Sequence, residues 1–529
     1  MIQMDTVFDI IFIIISTALL SLCSVKMLHM YQLSSYRFKG VLSWLKASHY
    51  DYLLRYFAYA FFASGFTVLF NLCFPQENIH YFSYLIYVFF GLTFIVVSFS
   101  KKAKVPLAIT PRMRRLIMLD TLMCLGLSVG GWALSLTPMQ ECGYAVLPLF
   151  IPIAAALSYA VTYPFERANA RSFMRDAAEE IDRMKAEGLK VVGITGSYGK
   201  TTAKNILLAM LSTKYRVCAT PKSFNTPLGI CRTVNDVLAD DDSVFLAEMG
   251  ARRRGDIAEL CSVAKPDIAL ITGVGCQHLE TFGSLGAIAD TKYELVEALG
   301  ENGYAVFNGA DAGAKELSLR FGGKKAVAGG DADNEPRYYD VRCDEKGTSF
   351  KVSYGGAEIK VTTPLLGSHV PALITACMAV AAELDVPLCA CARACEKLAP
   401  VEHRLELIKA GEKTIIDDSY NSNPAGAKIA LGVLSLFDGK KIIVTPGMVE
   451  LGSEEADANR DFGRQIAGVC DKAFLVGNRG KTIAAGALEG GMDEENVVLV
   501  KDLEEATKEL SRISEKAVIL FENDLPDNY

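Results

Sequence analysis

The chain has 529 residues, of which 51% are hydrophobic and 22% are charged, and its formal net charge at neutral pH is -7. This length allows about three domains with large cores, while the negative net charge gives no support to nucleic-acid binding, so we expect no nucleic-acid partner. The fourteen cysteines include no CxxC pair and favour free thiols in a reducing cytosol over a metal site or a disulfide framework.

Five apolar stretches dominate the N-terminal part of the chain, and each is near the ~20 residues that a helix needs to cross a bilayer. They lie at about 8–24, 53–74, 81–99, 116–136 and 144–163. The first has no basic segment before it and no small-residue cleavage site after it, which favours a membrane anchor over a signal peptide. We therefore predict a five-span transmembrane domain over residues 1–163.

Basic residues between these stretches predict their orientation. The loops after the first and third stretches and the segment after the fifth contain Lys26, Arg37, Lys39, Lys46, Lys101, Lys102, Lys104, Arg112, Arg114, Arg115, Arg167, Arg171 and Arg175. The loops at 75–80 and 137–143 contain neither lysine nor arginine. Because basic residues mark cytoplasmic loops, we expect a multi-pass protein of the cell membrane with its N-terminus outside and its C-terminal part in the cytoplasm.

Asp120 is an ionisable residue well inside the fourth predicted span. It makes either a polar contact between helices, which we favour, or part of a substrate path. After the last span, residues 164–187 are rich in arginine, glutamate and alanine. They predict a solvated juxtamembrane helix that links the membrane region to the rest of the chain.

Residues 188–211 have the pattern of a strand, a loop of small residues and a helix. Val191, Val192 and Ile194 indicate a short buried strand, and an apolar-periodic helix extends over 203–211. Such a loop directs main-chain N–H groups and the positive end of the helix dipole at one place, which suits a polyphosphate. The segment therefore predicts a nucleotide-binding loop.

Six residues of this loop are candidate nucleotide ligands: Gly196, Ser197, Gly199, Lys200, Thr201 and Thr202. Lys200 would reach the terminal phosphates, and the hydroxyl of Thr201 would hold Mg²⁺. The G-x-x-x-x-G-K-[ST] pattern is incomplete, because Ile194 stands at the position of its first glycine.

Alternating strands and helices follow the loop, which predicts a mainly parallel sheet covered by helices. The strand at 244–247 ends at Glu248. A carboxylate at the carboxyl end of such a strand opens onto the crevice where these sheets bind ligands, so Glu248 is a candidate Mg²⁺ ligand. The next strand, 268–272, runs into a glycine turn with His278. On its own, a histidine in that position is more often structural than a ligand.

The remaining periodic segments predict two further sheets. Alternation over 347–363 indicates a small β-hairpin sheet. Short strands separated by helical segments predict a Rossmann-like sheet in the C-terminal part, and they lie at 415–416, 441–445, 473–476 and 517–520. Polar residues follow the first of these strands: Asp418, Tyr420, Asn421 and Asn423. By themselves they are typical of a capped turn.

Taken in order, these motifs resemble the Mur ligase family, the ATP-dependent amide-forming enzymes of peptidoglycan synthesis, and within it the branch that adds D-alanyl-D-alanine. The matching segments are TGSYGKTT (195–202), SFNTPLGI (223–230), AEMGARRRGDI (247–257), ITGVGCQHLETFGSLGAIADTKYEL (271–295), FNGAD (307–311), HRLE (403–406), DDSYNSNP (417–424) and GMVELG (447–452). They cover most of residues 190–455, and the absent first glycine of the phosphate loop is itself the Mur form of that loop.

The resemblance implies ATP and Mg²⁺ as cofactors and Lys200, His278 and Lys292 as catalytic residues. Lys200 would grip the γ-phosphate, while Thr201, Glu248 and His278 would arrange two Mg²⁺ ions. Lys292 matches the lysine that becomes carbamylated in this family, and its carbamate would hold the second metal ion.

The resemblance also implies which residues contact the nucleotide. Asn308 and Asp311 fall where the family contacts adenine and ribose. Arg404 and Asp418 fall where it contacts ATP from the C-terminal domain. The side chains that would line the same cleft are Tyr420, Asn421 and Asn423.

The implied fold is an α-helical membrane domain followed by α/β domains. A phosphate-loop Mur-ligase central domain would occupy residues 188–400, and a Rossmann-like C-terminal domain, which binds the incoming amino acid or dipeptide in this family, would occupy 401–529. Three places depart from the family pattern. Asn225-Thr226 replaces a paired asparagine, the segment 367–373 lacks both asparagines of Gly-x-His-Asn-x-x-Asn, and the ending at 521–529 is unusual.

The implied reaction joins a muramyl-peptide carboxylate to D-alanyl-D-alanine or a similar amine through an acyl phosphate, with cell-wall synthesis proteins as further partners. Soluble members of the family begin with a domain that binds the UDP end of the precursor, and here membrane spans stand in that place. A lipid-linked precursor, or another polymer such as poly-glutamate, is therefore an alternative substrate. A non-catalytic membrane scaffold that binds ATP is an alternative of another class, but a scaffold needs no second metal ligand.

Overall fold

The computed structural model describes residues 4–34, 36–48, 50–73, 79–99, 105–135, 143–222, 224–277, 279–420, 422–513 and 515–524. The described residues divide into two compact units, one up to Arg171 and the other from Ser172 onward. The predicted ligands His278 and Asn421 lie outside the described residues.

The first unit is helical. Its helices are α1 (Met4–Leu33), α2 (Phe38–Ala47), α3 (Asp51–Cys73), α4 (Ile79–Phe99), α5 (Pro111–Ser135) and α6 (Ile151–Ala186), with a 3-10 turn at Leu147–Phe150 before α6. Five helical segments are long and apolar enough to cross a membrane: Val7–Leu33, Asp51–Phe70, Phe82–Phe99, Pro111–Leu134 and Leu147–Ala186. They overlap the five predicted stretches, and α6 continues without a break through most of the predicted linker.

The interior of this helical unit contains polar contacts between helices. Asp120 of α5 is buried and accepts a hydrogen bond from the Ser24 hydroxyl of α1. Further along the same two helices, the hydroxyl groups of Ser128 and Ser16 lie 3.0 Å apart. Asp120 therefore makes the helix–helix contact that the sequence favoured.

A parallel six-stranded sheet begins the second unit. Its strands are β1 (Lys190–Thr195), β2 (Val217–Ala219), β3 (Val244–Met249), β4 (Ile268–Ile271), β5 (Tyr304–Asn308) and β6 (Lys324–Ala328), in the order β2-β3-β1-β4-β5-β6. Its helices are α7 (Lys200–Leu211), α8 (Pro227–Asp236), α9 (Asp256–Ala264), α10 (Leu279–Phe282), α11 (Leu285–Glu297), α12 (Ala312–Arg320), α13 (Val370–Glu383) and α14 (Leu388–Cys395). Because side chains alternate along a strand, Val192 packs with the core of α7 and α13 while Val191 packs with the core of α9 and α11.

Two further sheets complete this unit. The predicted hairpin region forms an antiparallel three-stranded sheet of β7 (Arg337–Asp344), β8 (Gly347–Tyr354) and β9 (Ala357–Thr363). The C-terminal sheet contains β10 (Glu406–Ala410), β11 (Lys413–Asp418), β12 (Lys440–Thr445), β13 (Lys472–Val476), β14 (Val497–Val500) and β15 (Ala517–Glu522). Its order is β10-β11-β15-β12-β13-β14, and its pairs are parallel except for β10 with β11. Its helices are α15 (Pro424–Ser435), α16 (Glu455–Ala467), α17 (Gly480–Glu489) and α18 (Leu503–Ser511).

Two glycines allow α16 and α17 to pack closely, which yields a test of the C-terminal fold. A Cβ atom at Gly463 would lie 2.1 Å from Ile483 O, and one at Gly486 would lie 1.9 Å from Arg460 O. We expect Gly463→Ala and Gly486→Ala each to destabilise the protein by ~1–3 kcal/mol, because the main chain must move. Thermal unfolding of the purified protein measures the effect.

Gly432 provides the matched control, because it also lies inside a helix but a Cβ atom there meets no atom within 4 Å. We expect Gly432→Ala to leave stability unchanged or to raise it by up to about 1 kcal/mol through helix propensity. Equal unfolding temperatures for all three variants would contradict the close packing of α16 on α17.

Candidate nucleotide and metal site

The predicted phosphate loop connects β1 to α7 at the carboxyl edge of the parallel sheet. Gly199 caps α7 with φ +76°, a left-handed conformation that favours glycine. A Cβ atom at Gly199 would also press on Leu373 at 3.2 Å, and one at Gly196 would lie 2.0 Å from Thr272 Oγ1. Both glycines are therefore required by the packing of the loop.

The loop presents unpaired donors at the start of α7. Among the residues that the structure describes, none accepts a hydrogen bond from the main-chain N–H groups of Lys200, Thr201 and Thr202. Ser197 serves the loop itself, because its hydroxyl lies 3.0 Å from both the N–H and the carbonyl oxygen of Gly275. Free N–H groups at a helix N-terminus suit an anion, so the loop fits a phosphate group.

Lys200 is folded over the loop. Its ammonium donates to the carbonyl oxygen of Gly196 at 2.6 Å. The pKa of Lys200 is lowered to about 8, mainly by burial; the charge of Glu248 opposes this effect, and the charge of Arg404 adds to it. The ammonium is therefore within electrostatic range of a carboxylate from β3 and of a guanidinium from the C-terminal part of the chain.

Glu248 and Thr201 form the predicted metal-binding pair. Glu248 is 1% exposed, and its Oε1 accepts hydrogen bonds from Thr201 Oγ1 and from Asn225 Nδ2, each at 3.2 Å. Adjacent ligands of Mg²⁺ lie about 3 Å apart, because its oxygen ligands form an octahedron with bonds of about 2.1 Å. The two oxygen atoms therefore have the chemistry and the separation that Mg²⁺ requires.

Lys292 lies on α11 and is 3% exposed. Burial lowers the pKa of Lys292 to about 7, and repulsion from Lys200 contributes, while Asp256 and Glu294 act in the opposite direction. Within the described ranges, its ammonium has neither a hydrogen bond nor an ion pair. Its assigned role as a carbamate ligand stays a prediction, as does the metal-binding role of His278.

Asn308 ends β5 and Asp311 follows it, and both side chains make hydrogen bonds within the protein. Asn308 Nδ2 donates to Thr272 O at 2.8 Å, and its Oδ1 accepts from Ala310 N at 3.1 Å. Asp311 caps α12, accepting from Ala314 N at 2.7 Å, and also accepts from Val274 N and the Tyr198 hydroxyl. These bonds join the phosphate loop to the strands beside it, and the predicted adenine and ribose contacts stay predictions.

A cleft runs between the phosphate loop and the C-terminal sheet. It is lined by Tyr198, Gly199, Thr202, His369, Arg404 and Asp418, among others. Nε of Arg404 is buried and has no hydrogen-bond partner among the described residues, while its guanidinium lies 4.2 Å from the ring centre of Tyr420. Burial raises the pKa of Asp418 to about 6. The structure thus brings four predicted ligands, Gly199, Thr202, Arg404 and Asp418, into one cleft.

The carboxyl edge of the C-terminal sheet contains an acid that the sequence analysis did not single out. Glu522, at the end of β15, accepts hydrogen bonds from the hydroxyl groups of Ser422 and Thr445, the latter at 3.2 Å. Burial raises the pKa of Glu522 to about 8, and the nearby charge of Asp418 adds to this effect. The residue therefore connects the loop after β11 to the carboxyl end of β12.

Other residues of the site were also missed. Lys204 lies 3.0 Å from Glu248 Oε2, and Glu294 accepts from Gly255 N at 2.6 Å and from Ala258 N at 3.0 Å. The sequence did contain a signal for Lys204. This lysine lies three residues before Leu207 and seven before Leu211, which places it on the buried face of an apolar helix. Glu294 had none, since its partners lie at the N-terminus of α9, 39 and 36 residues earlier in the chain.

Comparison with known proteins gives two family matches. Residues 194–381 match the Mur ligase middle domain, and residues 403–522 match the Mur ligase, glutamate ligase domain. The UDP-N-acetylmuramoyl-tripeptide–D-alanyl-D-alanine ligase of Bacillus subtilis (strain 168) is 33% identical over 341 residues, which are 63% of this chain and 73% of that protein. The protein of the same name from Escherichia coli (strain K12) is 28% identical over 59% of this chain and 70% of its own length.

Solved structures agree with these matches. The MurF ligase of Thermotoga maritima in complex with ADP has a TM-score of 0.59 and 26% identity, covering 67% of this chain and 80% of that one. MurF of Acinetobacter baumannii shares the fold, with a TM-score of 0.61, 24% identity and coverage of 67% and 77%. The resemblance that the motifs indicated is confirmed: the chain belongs to the Mur ligase family and is an ATP- and Mg²⁺-dependent ligase that forms C–N bonds.

Proposed function

We propose that this protein is a membrane-anchored peptide ligase of cell-wall synthesis that adds D-alanyl-D-alanine or a similar amine to the carboxylate of a muramyl peptide. The similar relatives are named as ligases that join D-alanyl-D-alanine to a UDP-N-acetylmuramoyl tripeptide. The observation that carries the proposal is the cleft that Gly199 and Thr202, at the start of α7, line together with Arg404 and Asp418 of the C-terminal part. A ligase must hold a polyphosphate and a carboxylate together in such a place.

The chemistry requires two anions to approach each other. A carboxylate oxygen attacks the γ-phosphorus, the bond to the β-phosphate oxygen breaks, and an acyl phosphate forms. The amine then attacks the acyl carbon and inorganic phosphate leaves. Lys200 and Arg404 would offset the negative charge that accumulates in the first step. Bound Mg²⁺ would supply further charge stabilisation, held by Thr201 and Glu248.

Lys292 fits the proposed carbamate because burial favours its neutral amine. A neutral amine adds to CO₂ through its lone pair and releases one proton, leaving an anionic carbamate with two oxygen atoms. This change would replace a side chain whose charged form is repelled by Lys200 with an anion that Lys200 attracts. The carbamate would then add oxygen ligands to those of Thr201 and Glu248.

The N-terminal unit supports a substrate at a membrane. The family match begins at residue 194, and five apolar helices precede it. Their outward surfaces carry large apolar side chains, such as Phe61 at 62% exposed and Val96 at 69% exposed, which suit contact with lipid rather than water. A lipid-linked precursor is therefore the second candidate for the carboxylate substrate, beside a UDP-linked one.

Release of phosphate from ATP tests the function. The purified full-length protein is expected to release phosphate only when a muramyl-peptide precursor and D-alanyl-D-alanine are both present. Parallel assays with UDP-linked and lipid-linked precursors, analysed by mass spectrometry, identify the carboxylate substrate. A rate of phosphate release that does not depend on the added amine, with no ligated product, would contradict the proposal.

Lys200→Ala is expected to lower the rate of ligation by roughly 10²- to 10³-fold or more, because it removes a charge that meets the developing transition state. The rate is measured as product formed at saturating ATP and Mg²⁺. Lys214→Ala is the control, since Lys214 bonds main-chain carbonyl groups such as Asp385 O at 2.9 Å, outside the loop. Ligation by Lys200→Ala at the wild-type rate would refute the role of Lys200.

Lys292→Ala is expected to lose ligase activity and to regain part of it when a short-chain carboxylic acid is added. The acid would enter the space left by the side chain and replace the carbamate oxygen atoms. The same acids are expected to leave Lys200→Ala inactive, which distinguishes replacement of the carbamate from general stimulation. Full activity of Lys292→Ala without any acid would exclude the carbamate.

A further inference from the structure

Lys204 is a buried cation that the proposed reaction does not use. It lies one turn after Lys200 in α7, and its side chain is 4% exposed. Its ammonium donates to the carbonyl oxygens of Thr220 at 2.8 Å and Lys222 at 2.6 Å. Lysine is almost never buried to this degree without a charged partner. Here the partner is Glu248, whose Oε2 lies 3.0 Å from the ammonium.

The two carboxylate oxygens of Glu248 therefore have different surroundings. Oε1 lies beside Thr201 and Asn225, whereas Oε2 makes no aligned hydrogen bond with a described residue and is held by the charge of Lys204. The two carbonyl contacts fix the ammonium on the loop that follows β2. The Thr220 hydroxyl, which accepts from Glu248 N at 3.1 Å, also fixes the main chain of β3 to that loop.

We propose that Lys204 is a positioning residue of the metal site: it holds Oε2 so that Oε1 stays beside Thr201, where the Mg²⁺ of the bound nucleotide is held. This inference rests on the proposed nucleotide site. It gives Lys204 no contact with the nucleotide or with the reacting atoms. The two lysines of α7 therefore have different proposed roles: Lys200 binds the phosphates, and Lys204 holds the metal ligand Glu248 in position.

The test compares the affinity of the full-length protein for ADP with and without Mg²⁺, measured by isothermal titration calorimetry. The readout is the ratio of the two dissociation constants, which reports the metal site and needs no turnover. Lys204→Met keeps the length of the side chain and removes its charge. We expect the Mg²⁺-dependent gain in ADP affinity to fall about 10- to 100-fold, as for other residues that orient a metal ligand, with little change without Mg²⁺.

Two further variants separate positioning from folding. Lys204→Arg retains the charge and is expected to restore part of the Mg²⁺-dependent gain. Lys325→Met is the control for losing a lysine that bonds main-chain carbonyl groups, because the exposed Lys325 also donates to two carbonyl oxygens, Ser318 O and Phe321 O, each at 2.6 Å, and no described carboxylate pairs with it. A folded Lys204→Met protein with the wild-type ratio would overturn the inference, as would an equal loss in Lys325→Met.

A second measurement does not depend on the folding of Lys204→Met. In an experimental structure of the wild-type protein with Mg²⁺ and ADP, Lys204 is expected to remain paired with Oε2 while Oε1 faces the metal ion. A Lys204 side chain turned away from Glu248 would overturn the inference. If wild-type protein showed no Mg²⁺-dependent affinity for ADP, the proposed function would fail instead, so the two failures are distinguishable.

Discussion

The site depends on positive charges that are held close together with little water around them. Lys292 is buried and Lys200 is partly buried; the charge of Lys200 lowers the pKa of Lys292, and the charge of Arg404 lowers the pKa of Lys200. Burial penalises charged forms, so this arrangement is unfavourable on its own. In the proposed site, the negative charge of a polyphosphate would offset this repulsion, and the same cations would stabilise the transition state.

The parallel sheet explains why these residues meet. β3, β1, β4 and β5 are neighbours, so their carboxyl ends deliver Glu248, the phosphate loop, Thr272 and Asn308 to the same edge. The hydrogen bonds of Asn308, Asp311 and Tyr198 then join the turns after the strands to one another. Glu248 at the end of β3, paired with Lys204 of α7, supports the phosphate loop on one side. Asp311, at the start of α12, supports it on the other side. Because these contacts hold the loop in place before a phosphate binds, the loop loses little conformational entropy on binding.

Much of this could be predicted from sequence, and the reasons for the rest are physical. β1, α7 and Glu248 were predictable because hydrophobic period, glycine positions and a strand-terminal carboxylate are local signals. The apolar helices were predictable for the same reason. The hydrogen bonds of Asp311 with Tyr198, and of Glu522 with Ser422 and Thr445, could not be predicted from sequence, because the partners lie up to 113 residues apart. The short strand β2 also escaped prediction, since three residues carry no period.

The departures from the family pattern on α13 change how the cleft can recognise a nucleotide. Val370 and Leu373 stand where the family has asparagines, and both are buried, with Leu373 packed close to Gly199. This helix therefore offers the cleft an apolar wall and helps to hold the left-handed glycine of the phosphate loop. Polar groups along the cleft also come from the C-terminal part, where Nε of Arg404 is buried without a partner among the described residues and Asp418 is poorly solvated. If Arg404 and Asp418 bind the nucleotide as proposed, its recognition in this cleft would require the C-terminal part to stand against the phosphate loop, and the same arrangement would exclude water from the proposed acyl phosphate.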